Sequence, residues 1–497
     1  MFTSGSQLRW TRRGFVGAGT AAAAGTLAPR LLAAGPESAA AAAATGYVSR
    51  PDLTPSPVVI GTPASGTSPG YVILAPFNIF APNTTVGQYG PLVVDNTGEP
   101  VWYLPVHGKT AIDLRVQRYR GRPVVTWYAG DVLGGYGGTY GIYDETYHEV
   151  GKVAAGNGMH GDLHEFLITS RDTALISIYQ QVPADLSSIG GPVAGQLVVG
   201  VVQEIDIPTG KVLFQWRSDD HVPLTETNMP QVTAAGNVDY FHLNSIGVDL
   251  DGDLLVSARH TSTVYKVDRK TGQIKWRLGG KQSDFKLGPA ADFNYQHDVR
   301  RHADGTLTIF DNGASVPGAP GVEPFSRPLR LALDMKAMTA SLVGQYLPPQ
   351  GRSTWAMGNL QQLPGGGAFV GWGTFGAFTE FTAGGAVCFD GKFGDGAVSY
   401  RAFRFPWVGR PTGRPAAAAR STGGATTVYA SWNGATEVAS WQVQTGAGAG
   451  SLKPVHTVAR SGFETAIPVA AAGAYVAVAA LDSTGKVLGT SQAVPAG

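Results

Sequence analysis

The sequence has a single cysteine, Cys388, among its 497 residues. One cysteine cannot form an intrachain disulfide, and it excludes a cysteine-rich zinc or iron–sulfur site. Charged residues are also scarce, at 15% against about 25% in an average soluble protein. The formal net charge is only +1, so the chain lacks the basic excess that nucleic-acid binding requires.

Long apolar runs are missing as well. The apolar stretch near the N-terminus, residues 15–28, is shorter than the roughly 20 residues that cross a bilayer as a helix. It follows Arg12 and Arg13 in a segment that resembles the twin-arginine export signal, an address read by a receptor. We therefore predict that residues 1–44 are a signal peptide, that the twin-arginine machinery exports the protein from a bacterial cytoplasm, and that the mature chain has no membrane span. The alternative is an ordinary secretory signal with an incidental arginine pair.

Glycine, by contrast, is abundant, with 68 residues, and proline adds 32. These are the two poorest helix formers, so the composition favours short strands joined by tight turns. One hairpin pattern recurs, an aspartate followed by a glycine-containing turn and then by an apolar or aromatic residue. The six copies begin at Asp95, Asp144, Asp206, Asp268, Asp334 and Phe381.

The six copies predict an all-β protein. Radial repetition of four-stranded units leaves only short exposed edges, and six units predict a six-bladed β-propeller over residues 50–409. Eight-bladed propellers use similar turns, but six copies are too few for one. Residues 410–420 are predicted to be a linker. Period-two alternation beyond them predicts a small fibronectin III- or immunoglobulin-like β-sandwich over residues 421–497.

Three histidines occupy one position of the repeat, where the innermost strand reaches the channel mouth. His242 begins a hairpin that turns at residues 251–252 and returns to Arg259. With a two-residue turn, Asn244 lies opposite Arg259. His260 follows Arg259 and, by period-two counting, points to the other face. We therefore place His242, Asn244 and Arg259 together.

The neighbouring repeats support the same placement. His297 begins a hairpin that turns at residues 304–305, so that it faces Asn312, and His164 begins the hairpin two repeats before it. Asn359 holds the corresponding position in the repeat after His297. A lone histidine is more often structural, but three in one register with an arginine in reach predict a functional cluster.

Two kinds of chemistry fit such a cluster. Three histidines can bind zinc with an open position, although an arginine beside them would repel a cation. Without a metal or other cofactor, neutral imidazoles can carry an anionic sulfuryl or phosphoryl group, and a guanidinium can stabilise its oxygens.

The motifs around these residues resemble those of the bacterial arylsulfotransferases, and in particular an actinobacterial and fungal branch. They are His242-Leu-Asn244-Ser, Gln296-His297 followed by Asp311-Asn312-Gly313, and Leu163-His164-Glu165-Phe166. The resemblance covers about residues 70–407. It implies a six-bladed propeller that moves a sulfuryl group from an aryl sulfate to a phenol without a nucleotide sulfate donor.

The resemblance also implies roles for individual residues. His297 is similar to the nucleophile that becomes a sulfohistidine, while His242 and Arg259 are similar to residues that bind the sulfuryl oxygens. His164 is similar to a further catalytic histidine, and Asn244 to a sulfate contact. The substrate-binding candidates are Asn244, Asn312 and Asn359, and no metal ligand is predicted. The chain departs from the enterobacterial members, which need a disulfide and carry an extra N-terminal β-domain.

Two other functions stay open at this point. One is a non-catalytic propeller that binds glycans or anionic ligands. The other is a metal-dependent propeller hydrolase or lyase.

Overall fold

The computed structural model describes residues 46–79, 88–131, 137–229, 236–313, 325–394, 396–470 and 472–497; the predicted signal peptide lies outside them. The described part is all-β, as predicted, and its helices are single 3₁₀ turns. These turns are Ser187–Ile189, Ser218–Asp220, Leu224–Glu226, Pro349–Gly351 and Gly373–Phe375. Within the described ranges no helix is long and apolar enough to cross a bilayer.

The strands that precede residue 406 are named here in chain order. They are β1 (Val58–Thr62), β2 (Tyr71–Leu74), β3 (Leu92–Val94), β4 (Pro100–Tyr103), β5 (Thr110–Tyr119), β6 (Arg122–Gly130), β7 (Thr139–Tyr143), β8 (Glu149–Val153), β9 (Phe166–Ile168), β10 (Thr173–Ala184), β11 (Gly195–Asp206), β12 (Val212–Arg217), β13 (Asn237–Asp239), β14 (Leu243–Val248), β15 (Leu254–Ala258), β16 (Thr263–Val267), β17 (Ile274–Gly279), β18 (Lys286–Leu287), β19 (His297–Arg301), β20 (Leu307–Asp311), β21 (Arg327–Asp334), β22 (Thr339–Gln345), β23 (Asn359–Gln362), β24 (Ala368–Gly371), β25 (Ala377–Phe381), β26 (Val387–Phe393) and β27 (Ala402–Phe405).

In the described residues these strands form six sheets of antiparallel hairpins. In chain order the sheets are β27-β2-β3-β4, β5 to β8, β9 to β12, β14 to β17, β19 to β22, and β23 to β26 with β1 on the outer edge. Two short strands add parallel pairs, β13 to β11 and β18 to β22. The innermost strands contact one another from sheet to sheet, except that β14 contacts β10 rather than β9, and β23 contacts β27, so the six sheets follow one another in a closed ring.

Each of the six repeated hairpins joins the last two strands of one sheet. At β16–β17, Asp268 accepts backbone N–H groups from Lys270 and Thr271, and Gly272 has a φ of +76°. Glycine adopts this left-handed conformation without strain. The buried Trp216 of the preceding sheet donates its Nε1–H to the carbonyl oxygen of Gly272 over 3.1 Å. The repeat therefore combines a tight turn with an aromatic contact between neighbouring sheets.

The predicted register of the β14–β15 hairpin is wrong by one residue. Val248 pairs with Leu254, and Asp249 donates its backbone N–H to the carbonyl oxygen of Asp253 over 2.8 Å. The loop is therefore residues 250–252, three residues rather than two, and Gly252 takes a φ of +88°. A bulge follows between residues 243 and 245. Arg259 consequently donates its backbone N–H to the carbonyl oxygen of His242 over 3.0 Å and does not lie opposite Asn244. A three-residue loop with a glycine in the left-handed conformation is a common hairpin connection.

The same correction applies to β19–β20. His297 pairs with Phe310 rather than Asn312 for two reasons. The loop has three residues, 303–305, instead of two, and a bulge occurs at Asp298, which has a φ of +53°. The side chains of His297 and Asn312 nevertheless meet, with Nδ1 and Oδ1 2.7 Å apart.

Two further sheets follow after residue 415. Their strands are β28 (Ala416–Thr422), β29 (Ala425–Ser431), β30 (Ser440–Gly446), β31 (Lys453–Ala459), β32 (Glu464–Val469), β33 (Tyr475–Leu481), β34 (Val487–Thr490) and β35 (Val494–Pro495). The sheets are β28-β29-β32 and β31-β30-β33-β34, with β35 paired to β33. They share a core built around Trp441, Val478 and Ile467. The predicted linker is half strand, because the alanine run from Ala416 pairs with β29.

These two sheets are fixed to the first six. Asn433 accepts the backbone N–H of Tyr103 and donates to its carbonyl oxygen, over 2.9 and 2.8 Å. Tyr147 donates its hydroxyl to the carbonyl oxygen of Gly434 over 2.9 Å. All described residues belong to one compact unit.

Candidate active site

Two of the predicted catalytic histidines are each held by an aspartate that precedes them in the chain. Nδ1 of His164 lies 2.5 Å from Oδ1 of Asp162, and Nδ1 of His242 lies 2.5 Å from Oδ2 of Asp239. The two imidazole rings meet edge to face, with centroids 5.0 Å apart. Among the described residues, Nε2 of neither ring has a hydrogen-bond partner, so this atom is available to a substrate.

Backbone geometry and an aromatic ring orient this pair. His242 precedes β14 and has a φ of +56°, a left-handed conformation that is costly for a non-glycine residue. Two bonds to Asp239, from the backbone N–H and from Nδ1, fix that conformation. The ring of Tyr179 stacks on His164 at 5.0 Å and lies edge-on to His242 at 5.5 Å.

His297 is held differently from the other two. Asn312 donates from Nδ2 to the carbonyl oxygens of Thr354 and Met357, so its Oδ1 must accept a proton from Nδ1 of His297. The lone pair of His297 is therefore on Nε2, where it accepts the backbone N–H of Met357 over 3.2 Å. The side chain is almost completely buried, with 1% of the residue exposed.

Arg259 supplies the positive charge of the site. One arm, Nη2, donates to the carbonyl oxygen of Trp355 over 2.9 Å. The other arm, Nη1, lies 2.7 Å from Nε2 of His260. The guanidinium also lies over the ring of Tyr295, 5.3 Å from its centroid. These contacts hold an arginine that is 4% exposed in one orientation.

A buried arginine, Arg401, links the segments that carry His164 and His297. Arg401 bonds Oε2 of Glu165 at 3.3 Å and Oδ1 of Asp298 at 3.0 Å. Glu165 and Asp298 directly follow the two histidines in the chain. Arg401 is therefore placed to set the spacing between the two histidines.

The charges around Arg401 balance. Arg115 and Arg300 add two cations, and Asp113 adds a third acid to Glu165 and Asp298. Burial alone would raise the pKa of Glu165, but the three arginines hold it at about 2. The network is therefore a fixed, neutral support.

Tyr400 connects this support to the histidines. Its ring lies edge-on to His164 at 5.5 Å and to His297 at 6.3 Å, and its hydroxyl donates to the carbonyl oxygen of Asn244 over 2.9 Å. All four predicted catalytic residues thus converge on one buried cluster.

The three predicted asparagine contacts serve the protein itself. Asn244 donates to the carbonyl oxygen of Gln296 over 2.5 Å, and Asn312 orients His297. Both amide atoms of Asn359 bond the backbone of Ala402, over 2.9 Å each. The amide atoms of Asn312 and Asn359 thus all have protein partners, and the substrate contact predicted for each stays a prediction. Of the amide atoms of these three asparagines, only Oδ1 of Asn244 has no hydrogen-bond partner among the described residues.

Comparison of the chain with known families gives one match that includes the predicted catalytic residues. A family model described as arylsulfotransferase (ASST) matches residues 115–394, more than half of the chain. The match contains His164, His242, Arg259 and His297. The chain belongs to the arylsulfotransferase family.

No curated protein matches this arylsulfotransferase-family chain significantly. Among solved structures, a protein of unknown function from Bacteroides caccae is 12% identical, with a TM-score of 0.41, and the alignment covers 68% of this chain and 100% of that one. Virginiamycin B lyase from Staphylococcus aureus is 8% identical, with a TM-score of 0.35, and covers 75% and 96%. Both TM-scores are too low to carry a conclusion about fold or activity.

Electrostatics keep the imidazoles of His242 and His297 uncharged. Burial, followed by the charge of Arg259, lowers the pKa of His297 well below 6.5. Burial, His164 and Arg259 do the same for the pKa of His242. Burial lowers the pKa of Arg259 to about 10, which leaves it protonated at neutral pH. The site therefore presents the cation of Arg259 beside the neutral rings of His242 and His297.

One group of side chains has the composition of a metal site. Asp239, His242 and His260 offer donor atoms within 4.8 Å of one another. Nε2 of His260, however, already faces Nη1 of Arg259, and its Nδ1 lies 2.5 Å from the carbonyl oxygen of Asp239. A second cation would be repelled by Arg259, so this arrangement suits an anion better.

Sequence reasoning missed four residues of the candidate site: Asp162, Asp239, His260 and Tyr400. An aspartate two or three positions before each histidine was the available signal for the first two. The prediction that His260 points away is wrong, because β15 ends at Ala258 and the alternation of a strand does not extend into the turn.

Proposed function

We propose that this protein is an exported arylsulfate sulfotransferase. It takes a sulfuryl group from an aryl sulfate, holds it on a histidine and passes it to a phenol, without a nucleotide sulfate donor. The observation that carries this proposal is a buried cation, Arg259, among neutral imidazoles that include His242 and His297. A neutral imidazole is a nucleophile, and a guanidinium stabilises charge on sulfuryl oxygens.

His297 is the nucleophile in this proposal. Its bond to Asn312 places the proton on Nδ1 and the lone pair on Nε2. In the first half-reaction this lone pair forms an N–S bond while the S–O bond to the aryl group breaks, and the leaving phenolate takes the electron pair. The N–H of Met357 must move away from Nε2 before the attack.

The second half-reaction needs a base. Nε2 of His164 or His242 accepts the proton of the acceptor phenol, whose oxygen then forms the new S–O bond. The N–S bond breaks, and its electron pair returns to His297. The carboxylates of Asp162 and Asp239 stabilise the imidazolium that forms, as an aspartate does in a catalytic triad.

The proposal also includes the architecture of the protein. The six sheets are the blades of a six-bladed β-propeller, which is supported by their closed sequence of contacts. The two C-terminal sheets are a fibronectin III-like sandwich, supported by their shared core. Export by the twin-arginine machinery is proposed from Arg12 and Arg13, and it places the protein outside the cytoplasm.

The decisive test uses 4-nitrophenyl sulfate with and without phenol. Release of 4-nitrophenol that depends on phenol, together with one sulfuryl adduct on the intact protein when phenol is omitted, supports transfer through a covalent intermediate. Activity that a chelator removes and zinc restores would instead indicate the metal-dependent hydrolase or lyase. Binding of anionic ligands or glycans without any turnover would indicate a non-catalytic propeller.

A further inference from the structure

We propose that His260 is the positioning residue for Arg259, acting as a neutral hydrogen-bond acceptor that fixes the guanidinium. This inference rests on the proposed function, in which Arg259 binds the sulfuryl oxygens. His260 lies in the site, and neither of the two half-reactions proposed above uses it.

The protons of His260 follow from its two partners. A carbonyl oxygen only accepts, so the 2.5 Å contact with the carbonyl oxygen of Asp239 requires a proton on Nδ1. A guanidinium only donates, so the 2.7 Å contact with Nη1 of Arg259 requires a lone pair on Nε2. One tautomer of the neutral ring satisfies both contacts, and the imidazolium satisfies only the first.

The surroundings enforce this state. His260 is 8% exposed, and burial, the first cause, lowers its pKa to about 3. The ring of His242 lies 4.4 Å away, and Arg259 adds a positive charge on the other side. A second proton on His260 would bring two cations into contact.

Asp239 links the two halves of the site through His260. Its carboxylate holds Nδ1 of His242, and its carbonyl oxygen holds Nδ1 of His260. One residue thus orients both a proposed base and, through His260, the guanidinium. This arrangement fixes the position of Arg259 relative to His242. A sulfuryl group that binds to both residues needs them at a fixed separation.

Two other described contacts hold the rest of the Arg259 guanidinium. Nη2 bonds the carbonyl oxygen of Trp355, and the plane rests on Tyr295. The bond from Nη1 to Nε2 of His260 adds a third described contact and defines the direction of the second arm. Hydrogen bonds to a charged group are among the stronger ones in proteins.

The test compares two substitutions of His260. A glutamine can donate from its amide nitrogen to Asp239 and accept from Arg259 with its oxygen, so His260→Gln keeps both contacts. Phenylalanine fills the space and keeps neither. We expect His260→Phe to lower kcat/KM for sulfuryl transfer by about 10- to 100-fold, the range for a lost bond to a charged group, and His260→Gln to restore most of it.

A double variant separates positioning from general damage. If His260 acts through Arg259, adding His260→Phe to Arg259→Ala causes no further loss, because coupled residues are not additive. Losses that multiply, or a His260→Phe enzyme with wild-type kcat/KM, would overturn the proposal. His302→Phe is the matched control, since His302 is a half-buried histidine bonded to Thr308 at the far end of its hairpin.

Binding of inorganic sulfate, measured by calorimetry, gives a readout that does not need turnover. We expect the wild type and His260→Gln to bind sulfate, His260→Phe to bind at least about tenfold more weakly, and Arg259→Ala to lose binding. A wild type that binds sulfate but transfers no sulfuryl group contradicts the proposed function, while the variants still decide the role of His260. A wild type without sulfate binding overturns both.

Discussion

Met357 donates its backbone N–H to Nε2 of His297 over 3.2 Å. Because Asn312 holds the proton on Nδ1, this N–H covers the only lone pair with which His297 could attack sulfur. Met357 has a φ of +65°, in the left-handed region. The nucleophile is thus kept neutral and oriented, and the first step requires a small movement of the chain beside it.

We expect His297→Asn to abolish both the sulfuryl adduct and the cleavage of 4-nitrophenyl sulfate, because asparagine has no nucleophilic nitrogen. Intact mass and single-turnover release of 4-nitrophenol measure the two effects. His242→Asn should slow both half-reactions and still give some adduct. An adduct in the His297 variant that maps to His242 or His164 would transfer the nucleophilic role to that residue.

Arg259→Lys should lower turnover by roughly two to three orders of magnitude, as for the loss of an oxyanion donor. A lysine ammonium cannot contact two sulfuryl oxygens with the planar fork of an arginine. Steady-state kinetics and the thermal midpoint are measured together, and the midpoint should be unchanged. A turnover close to the wild type would remove Arg259 from the sulfuryl site.

Replacing Arg401 with methionine should destabilise the protein by about 3–5 kcal/mol, because it leaves the buried Asp113 and Asp298 short of a cation. Urea unfolding provides the measurement. The control is Arg330→Met, which removes a partly exposed ion pair with Asp304 and should cost no more than about 1 kcal/mol. Equal effects of the two substitutions would show that the Arg401 network does not support the site.

Acidification should destabilise the fold through its buried neutral histidines. His242, His260 and His297 have folded pKa values below the unfolded value of 6.5, so their contribution is present above pH 6.5 and is lost as the pH falls. Between pH 7.5 and 5.5 each such histidine removes about 1.4 kcal/mol from the free energy of unfolding.

His260→Gln should therefore reduce the loss of unfolding free energy between those two pH values by about 1.4 kcal/mol. Urea unfolding at both pH values measures it, and the exposed His148→Gln is the control. An unchanged pH dependence would mean that His260 protonates in the folded protein.

Replacing both Arg12 and Arg13 with lysine should leave precursor in the cytoplasm, because the receptor reads the arginine pair rather than hydrophobicity alone. Immunoblots of cytoplasmic and exported fractions detect the two forms. Normal export and processing of the double variant would favour an ordinary secretory signal.

Much of the framework was predictable from local pattern. The turns at Asp95, Asp206 and Asp268 were found because a left-handed glycine after an aspartate is a local requirement of the chain. The family was predicted from motifs around His242 and His297, and the match over residues 115–394 confirms it.

The pairing of individual residues across the inner hairpins was not predictable from local pattern. The loop after Val248 has one more residue than expected, and bulges follow His242 and His297. A bulge depends on how a strand packs against its neighbours as well as on its own residues. The extra loop residue and the bulge each shift the pairing by one position, and together they move Arg259 from Asn244 to His242.

The sequence by itself determined the all-β class, the repeated hairpins and the four residues that meet in the site, because these follow from local turn chemistry and from side chains near one end of each inner strand. Only the tertiary structure decided which atoms of those residues are available. The bonds from Asp162, Asp239 and Asn312 to Nδ1, from Met357 to His297 and from Arg259 to His260 depend on distances between groups that local pattern does not encode. In a buried site those distances set the protonation state of each ring, and therefore its chemistry.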